Sequence, residues 1–577
     1  MIKLLKYLKG SAVICAILAP LSMCLEVSMD LLQPTLLSKI IDIGVKNSDL
    51  NYVLYIGIQM VIAAIVGLVA GASCSYFASV ASMNLGQEIR QGLFDKIQDL
   101  SFVELDKLKT SSLITRLTND VTQVQMMMNL ALRGMIRSPL IAIGGVIMAY
   151  TLSKKLSTIF LISIPIIAVA MVFILKKSFP LFTKVQQKID NVNTVMRESI
   201  LGVKVIKAFA IENTQKNRFT KENEELMNIS IKSQNRNLIL WPIATLIMNL
   251  TIVCVLWFGG NMVNNGDLEI GKIVAFINYL LQIMGSVVMV IGIIISYSRA
   301  KASAARINEV FETKNSIKDK ENTKTVENFD IEFKNVSFRY NEHSENVLEN
   351  ISFTAKQGET IGIIGSTGCG KSSFVNLIPR LYDATEGEIL IGKTNIKDIS
   401  LSFLRENIGI VLQENILFSG TIESNIKFGN ENASKEMIID SAVNSQAYEF
   451  ITNKEDKFNS EVEQRAKNLS GGQKQRLSIA RTLIRNPKIF IMDDSSSALD
   501  MATEAKLQKS IKETMKDSTV IIIAQRISGV MDADKIIVMD DGKIVNIGIH
   551  KELLKDSEIY KSIAVSQLGE EVLESVD

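Results

Sequence analysis

Six long apolar stretches constrain the fold of this chain more than any other feature of its sequence. They lie near residues 13–37, 53–78, 138–152, 156–175, 238–263 and 273–297. Most contain the roughly 20 apolar residues that cross a bilayer core, and the third reaches that length only with its upstream flank. In a soluble protein they would form six consecutive helices without a polar face. The pattern therefore predicts six transmembrane helices.

The first apolar stretch follows a basic N-terminus, MIKLLKYLKG. A signal peptide also begins this way, but here the apolar run continues without a cleavage pattern of small residues. We therefore expect a retained first membrane helix. Lys3, Lys6 and Lys9 place the N-terminus in the cytoplasm by the positive-inside rule. The long polar stretches 79–132 and 176–237 are then cytoplasmic as well.

Composition argues against two other classes of protein. The net charge is only +2 in 577 residues, so no excess of positive charge is available to neutralise nucleic-acid phosphates. The five cysteines lie in apolar runs or in a glycine loop, and they suggest neither a disulfide framework nor a metal cluster. We expect no nucleic-acid partner.

The chain changes character after a polar segment. Residues 312–328 are charged and poor in apolar residues, which is typical of a linker. Beyond it, short β-branched runs such as TIGIIG and KIFIMD alternate with helical patterns, as in a parallel α/β sheet. The predicted fold class is a helical polytopic membrane domain over 1–311, followed by an α/β domain over 329–577.

A glycine-rich loop in the α/β domain carries the strongest signal of a site. GSTGCGKS follows the strand TIGII and precedes a helical pattern, which is the context of a phosphate-binding loop. Its glycines let backbone N–H groups turn onto phosphate oxygens at a helix N-terminus. Lys371 supplies a charge for the β- and γ-phosphates and Ser372 a hydroxyl for Mg²⁺, while Asp493, at a strand end, would hold Mg²⁺ through water. The candidate ATP-binding residues of this loop are Gly365, Ser366, Thr367, Gly368, Cys369, Gly370, Lys371, Ser372 and Ser373.

A second motif points to a family. LSGGQ begins at Leu469, upstream of the strand-end aspartate. Together with the phosphate loop, Gln413 in VLQENILF and SALD at 497–500, it resembles the nucleotide-binding domain of an ATP-binding cassette (ABC) transporter. Six predicted membrane helices ahead of one cassette resemble a half-transporter of the ABC exporter family. The stretches 102–121 and 197–213 are similar to the segments that carry the coupling helices of that family.

The resemblance implies roles for further residues. Tyr340, in FKNVSFRY, would stack on adenine, and Gln413 would contact Mg²⁺ and the attacking water. A serine hydroxyl and glycine amides at a helix start form a second anion clamp, which would meet the γ-phosphate of ATP held by an opposite cassette. The candidate residues of this clamp are Ser470, Gly471, Gly472 and Gln473. Because one chain carries one cassette, the resemblance implies a second half-transporter as partner.

Two positions depart from the family pattern, and both belong to hydrolysis. The catalytic glutamate of the family is Asp494 here, and its side chain is one methylene shorter. The switch segment IIIAQRIS at 521–528 has Gln525 where the family places a histidine. A glutamine amide donates hydrogen bonds, but it cannot become cationic or shuttle a proton. The two histidines of the chain, His343 and His550, lie in other motifs.

These departures suggest a division of labour. In some ABC exporters one ATP site hydrolyses, while the other binds ATP and turns over slowly. This chain resembles the degenerate-site subunit of heterodimeric bacterial multidrug ABC exporters. Its own site would retain ATP, and its LSGGQ would complete the hydrolytic site of the partner. Two alternatives stay open, namely a homodimer with two slow sites and an ATP-gated regulator or channel.

The exporter resemblance also implies the cargo and the location. The cargo would be an amphipathic or hydrophobic compound, drug-like or lipid-like, moved outward across the plasma membrane of a bacterium, with the cassette in the cytoplasm. Glu26 and Asp30 lie four residues apart, on one face of the first membrane helix. Carboxylates in a membrane are costly, so they either line a cavity for cationic cargo, lie near the outer interface, or pair with a neighbouring helix.

Overall fold

The computed structural model of the chain describes residues 1–320, 323–341 and 343–569. The chain divides into two compact units. The first unit comprises Met1–Gln98 and Thr110–Thr313, and the second comprises Asp99–Lys109 and Lys314–Asp577.

The first part of the chain is helical. A short 3₁₀ helix at Ile2–Tyr7 precedes the first long helix. The helices up to the linker are α1 (Ser11–Lys39), α2 (Leu50–Asp99), α3 (Phe102–Leu108), α4 (Thr110–Thr115), α5 (Val121–Leu152), α6 (Lys154–Leu201), α7 (Val203–Ala208), α8 (Glu212–Leu238), α9 (Leu240–Asn264) and α10 (Ile270–Glu312). Turns of π-helix at Ile40–Val45 and Arg116–Asp120 extend α1 and join α4 to α5.

Six helical segments of the described chain are long and apolar enough to cross a membrane. They are Ser11–Val45, Leu50–Asp99, Thr110–Leu152, Lys154–Leu201, Pro242–Asn264 and Ile270–Glu312. The prediction of six membrane helices is therefore confirmed. The apolar residues continue around each helix because the side away from the neighbouring helices faces lipid rather than water.

Small residues allow the membrane helices α5 and α10 to pack closely. A Cβ atom added at Gly145 would lie 2.9 Å from the side chain of Ile283, and one added at Gly134 would lie 2.9 Å from that of Met289. Glycine thus leaves room on α5 for side chains of α10, and small residues are common where helices pack in lipid. Tyr279 of α10 is fully buried and donates a hydrogen bond to the Leu31 carbonyl of α1 at 2.7 Å.

The short helix α3 packs with the second unit, although it lies inside the predicted membrane domain 1–311. The Tyr382 hydroxyl donates to the Asp106 carboxylate at 2.7 Å. The ring centroids of Phe102 and Tyr382 are 6.1 Å apart. The contacts of Asp99–Lys109 therefore come from the α/β part of the chain. The segment overlaps the stretch 102–121, which is similar to a segment that carries a coupling helix in the ABC exporter family.

The second unit contains the strands and the remaining helices. The strands are β1 (Ile331–Phe338), β2 (Leu348–Ala355), β3 (Thr360–Gly365), β4 (Glu386–Ile391), β5 (Thr394–Asn395), β6 (Ile408–Val411), β7 (Gly420–Thr421), β8 (Glu461–Val462), β9 (Ile489–Asp493), β10 (Thr519–Ile523), β11 (Lys535–Asp540) and β12 (Lys543–Gly548). The helices are α11 (Lys371–Leu377), α12 (Leu401–Asn407), α13 (Ile422–Lys427), α14 (Lys435–Asn444), α15 (Tyr448–Thr452), α16 (Gly471–Leu483), α17 (Met501–Thr514), α18 (His550–Asp556) and α19 (Glu558–Leu568).

A six-stranded sheet forms the centre of this unit, in the order β12-β11-β3-β10-β9-β6. Neighbouring strands from β11 to β6 are parallel, and β12 joins antiparallel at one edge. All residues of β9 and β10 are buried, which explains their continuous β-branched and apolar sequence. A separate antiparallel sheet has the order β2-β1-β4-β5. The predicted α/β fold class is confirmed.

Candidate nucleotide-binding site

The loops that carry the predicted site residues meet at one edge of the parallel sheet. Ile523, which ends β10, lies opposite both Ile363 of β3 and Asp493 of β9. The carboxyl ends of β3, β6, β9 and β10 are therefore adjacent, and ligands of open α/β sheets bind at such an edge. A cavity of about 210 Å³ opens there, lined by Val347, Thr367, Gly368, Gly370, Lys371, Ser372, Ser373, Gln413, Asp493, Asp494, Ile523 and Gln525.

The phosphate loop between β3 and α11 requires glycine for two different reasons. Gly370 has φ +96°, a left-handed conformation that residues with a side chain rarely adopt. A Cβ atom at Gly370 would also lie 2.8 Å from the Val347 carbonyl oxygen. At Gly365 an added Cβ would lie 2.0 Å from the Met539 carbonyl oxygen of the neighbouring strand. Glycine is therefore required both by the turn and by the close approach of β11.

Lys371 lies over the phosphate loop. Its ammonium group donates to the carbonyl oxygens of Gly365 at 2.8 Å and Ser366 at 2.7 Å. Cys369 is buried below, with its sulfur 3.7 Å from the same ammonium. The positive charge is thus concentrated where the loop presents its glycines, which suits the phosphates of a nucleotide.

A hydroxyl and a carboxylate face each other beside this lysine. The Ser372 hydroxyl donates to Asp493 at 3.0 Å. Burial raises the pKa of Asp493, the hydrogen bond from Ser372 lowers it, and the neighbouring Asp494 carboxylate raises it further. Oxygen ligands of this kind are what Mg²⁺ prefers, and a bound divalent cation would favour the ionised form of Asp493. The residues present therefore fit ATP with Mg²⁺.

Asp494 and the switch segment contact each other directly. The Gln525 amide donates to the Asp494 carboxylate at 2.6 Å, and the Gln413 amide approaches the same oxygen at 3.5 Å. Burial raises the pKa of Asp494, and the hydrogen bond from Gln525, the charge of Lys371 and the hydrogen bond from Gln413 oppose this rise. Asp494, Gln525 and Gln413, the three candidate catalytic residues, thus form one hydrogen-bonded group.

The backbone of Asp494 explains part of its residue preference. Its φ is +48°, in the left-handed region, where aspartate and asparagine are several-fold enriched over other side chains. The Asp494 N–H donates to the Ile523 carbonyl at 3.0 Å, which holds this conformation. A short acidic side chain is therefore well suited to the position, although it reaches less far than a glutamate.

Tyr340 lies beside the phosphate loop, outside the residues that line the cavity. Its hydroxyl hydrogen-bonds the Ser373 hydroxyl at 2.8 Å. Its ring meets Phe338 and Tyr382 edge-on, with centroid distances of 4.8 Å and 5.2 Å. The side chain is 40% exposed, so part of the ring is free to contact a base. Stacking on adenine stays a prediction.

The LSGGQ motif forms the start of α16, and none of its residues lines the cavity of the described chain. The Ser470 side chain accepts from the Gln473 N–H at 3.3 Å, and the Gln473 side chain accepts from the Ser470 N–H at 3.1 Å. This capping box orders the helix start. Gly471 and Gly472 lie against Ala498 of SALD. Their action on an opposite cassette stays a prediction.

Some residues at the site carried no motif. Val347 and Ile523 add apolar walls to the cavity. Asp540 accepts a hydrogen bond from the Ser366 hydroxyl at 3.2 Å and thereby holds the tip of the phosphate loop. Asp540 is the last residue of β11, the parallel neighbour of β3. An acidic residue at the end of a predicted strand is the sequence feature that could have identified it as a site residue.

A second cavity lies in the membrane unit, between α1, α5 and α10. Its volume is about 420 Å³, and it is lined by Asp30, Arg137, Ser138, Ile141, Leu281, Gln282, Gly285, Ser286 and Met289. Arg137 forms an ion pair with Asp30 at 2.9 Å and another with Glu26. Of the alternatives for the two carboxylates, the structure favours pairing with a neighbouring helix, while Asp30 also lines the cavity.

Comparison with known proteins relates both halves of the chain to one family. A family model described as "ABC transporter transmembrane region" matches residues 16–287, and one described as "ABC transporter" matches residues 348–497. The chain is 42% identical over 573 residues to YfiB of Bacillus subtilis (strain 168), an uncharacterized ABC transporter ATP-binding protein, and this covers 99% of the chain and 100% of YfiB.

Two further similarities concern a flippase and a solved structure. The ATP-dependent lipid A-core flippase of Syntrophus aciditrophicus (strain SB) is 32% identical over 510 residues, which cover 86% of the chain and 84% of the flippase. A bacterial Atm1-family ABC exporter with ATP bound superposes with a TM-score of 0.82 over 97% of the chain and 100% of that structure. At 24% identity, this second similarity shows the fold.

Proposed function

Since this chain belongs to the ABC transporter family, as a half-transporter with six membrane helices and one cassette, we propose that it is the degenerate-site subunit of a heterodimeric exporter. Its own cassette site binds ATP and hydrolyses it slowly. Its LSGGQ motif, at Ser470–Gln473, completes the hydrolytic site of a partner half-transporter. The pair resides in the plasma membrane of a bacterium.

The observation that carries the proposal is the group formed by Asp494, Gln525 and Gln413. A general base must reach the attacking water, and a displacement of about 1 Å can lower a rate on the order of a hundredfold. Asp494 is one methylene shorter than a glutamate, and its carboxylate is held by the Gln525 amide at 2.6 Å. Gln525 can neither carry a positive charge nor pass on a proton. Both groups needed for rapid hydrolysis are thus weakened together.

The rest of the site is suited to holding ATP. Lys371 and the glycine loop bind the phosphates, and Tyr340 offers a partly exposed ring to the base. Ser372 and Asp493, with Gln413, would hold Mg²⁺, which would neutralise phosphate charge. An intact binding apparatus beside a weakened base supports retention of ATP rather than its turnover.

The membrane cavity supports an amphipathic cargo. Its lining combines the Arg137–Asp30 ion pair with apolar residues such as Ile141 and Leu281. Ser138 and Gln282 each keep a side-chain oxygen without a hydrogen-bond partner in the described structure. A lining of this kind suits a molecule with both a polar and an apolar part. The similarity to a lipid flippase supports a drug-like or lipid-like compound as cargo.

The composition of the complex tests this function. We expect native mass spectrometry of the complex recovered from the membrane of its own cell to show one copy of this chain and one different half-transporter. The complex should hydrolyse ATP, whereas the chain purified alone should show negligible activity. A homodimer with full ATPase activity would contradict the proposal. Slow ATPase of the chain alone would favour the homodimer with two slow sites, and ATP-dependent ion conductance without transport would favour a channel.

A further inference from the structure

The last turn of α19 contacts the switch segment that carries Gln525. The side-chain amide of Gln567 donates to the Gln525 carbonyl at 2.8 Å. The Ile527 N–H donates to the side-chain oxygen of Gln567, also at 2.8 Å. A carboxamide has both a donor and an acceptor group, so one side chain bonds the backbone on both sides of Arg526.

Gln567 is exposed, but the helix that carries it is anchored in the core. Tyr560 and Ala564 of α19 are fully buried in the same apolar cluster as Ile527. Tyr560, Ala564 and Gln567 follow each other at spacings of four and three residues, so they share one face of the helix. The buried part of α19 therefore sets where its last turn lies, and Gln567 extends that face onto the switch segment.

In the described part of the chain, other backbone hydrogen bonds of the switch segment include Ala524 N–H to the Ile363 carbonyl at 3.2 Å and Gly529 N–H to the Arg526 carbonyl at 3.1 Å. Gln525 and Arg526 are exposed, and Ile527 is buried. The Arg526 guanidinium is 4.0 Å from the buried carboxylate of Glu504. The Cα atom of Gln525 lies between the buried strand β10 on one side and the two hydrogen bonds of Gln567 on the other. The backbone at this point therefore determines the direction of the Gln525 side-chain amide.

We propose that Gln567 is a positioning residue for the nucleotide site. Its carboxamide fixes the backbone of residues 525–527 and so aims the Gln525 amide at Asp494 and at the γ-phosphate of bound ATP. Gln567 does not itself line the cavity. The inference rests on the proposed function, in which this site retains ATP.

A double-mutant cycle on the complex with the partner tests the inference. Complexes are loaded with Mg²⁺ and 8-azido-ATP, chased with unlabelled ATP for increasing times, photo-crosslinked and separated into subunits. The label on this subunit then reports nucleotide release from its own site. The variants are Gln567→Met, which keeps the length of the side chain without hydrogen bonds, Gln525→Ala, and the double variant. Ser566→Ala, at the neighbouring exposed residue, is the control.

We expect Gln567→Met to speed release about fivefold, because two backbone hydrogen bonds are lost. In the Gln525→Ala background, Gln567→Met should cause no further change, since Gln567 acts through Gln525. A merely structural role would give the same effect in both backgrounds. Additive effects, or a Gln567→Met complex that behaves like Ser566→Ala, would overturn the inference.

The same samples separate this inference from the proposed function. The chemical form of the label, ATP or ADP, shows whether the site retains or hydrolyses its nucleotide. If the site hydrolyses rapidly, the complex of the unchanged chain and those of its variants are compared by the rate of hydrolysis on this subunit. Gln567→Met should then change kcat in the unchanged background but not in the Gln525→Ala background, with KM nearly unchanged. Equal changes of kcat in the two backgrounds would overturn the inference as well.

Discussion

A single negative charge at Gly471 should abolish ATP hydrolysis by the complex of this chain with its partner. Gly471→Asp places a carboxylate where the helix start of α16 would meet the γ-phosphate of ATP on the opposite cassette. The loss of an anion clamp in a transition state lowers rates by roughly 100-fold to 1,000-fold. A Cβ at Gly471 would lie 3.5 Å from Ala498, an ordinary contact, so the cassette itself should fold normally.

The matched variant changes the phosphate loop of the same chain. Lys371→Ala removes the charge at the chain's own site. If that site hydrolyses little ATP, as we propose, steady-state ATPase should fall only about fivefold or less. Gly471→Ala adds the Cβ without the charge and controls for the change of backbone freedom. The measurement is the ATPase rate of each purified complex. Equal, near-complete losses for Lys371→Ala and Gly471→Asp would mean two equivalent hydrolytic sites and would exclude the division of labour.

Restoring the family pair should raise hydrolysis at the site of this chain. Asp494→Glu with Gln525→His returns both the reach of the base and a side chain that can carry a proton. We expect the rate at this site to rise on the order of 10-fold to 100-fold, with each single change giving less because the two groups hydrogen-bond each other. The rate is measured in complexes whose hydrolysis at the partner site is blocked by Gly471→Asp.

The backbone at Asp494 should make the restored variant less stable. Its φ of +48° accommodates aspartate better than glutamate, so the restored variant should unfold at a slightly lower temperature. Asp494→Asn with Gln525→His serves as the control, because it keeps the histidine but lacks the carboxylate base, and its rate should stay at the original level. No rise in the restored variant, with ATP still bound, would show that reach and proton transfer do not limit this site.

Most of the fold could be predicted from the sequence because its signals are local. Each membrane helix is a continuous apolar run, and the buried strands β9 and β10 are continuous β-branched and apolar runs. That the candidate site residues line one cavity could be predicted for the same reason. Its loops each come directly after a strand, and the parallel order of those strands brings Lys371, Asp493 and Gln525 together.

The contacts that could not be predicted join residues far apart in the chain. Arg137 pairs with Glu26 and Asp30 across helices, whereas the spacing of the two carboxylates shows only that they share one helix face. Gln567 lies in a helix without a motif, and its partner is backbone, which carries no sequence signal. Such pairings depend on how elements pack rather than on the pattern within one element.

The nucleotide held by each subunit after a single turnover tests the division of labour most directly. The complex is mixed with Mg²⁺ and with radiolabelled 8-azido-ATP in an amount that does not exceed the number of ATP sites. The reaction is quenched by photo-crosslinking, and the two chains are then separated. We expect intact ATP on this chain and ADP on the partner. ADP on both chains at equal rates would contradict the division of labour.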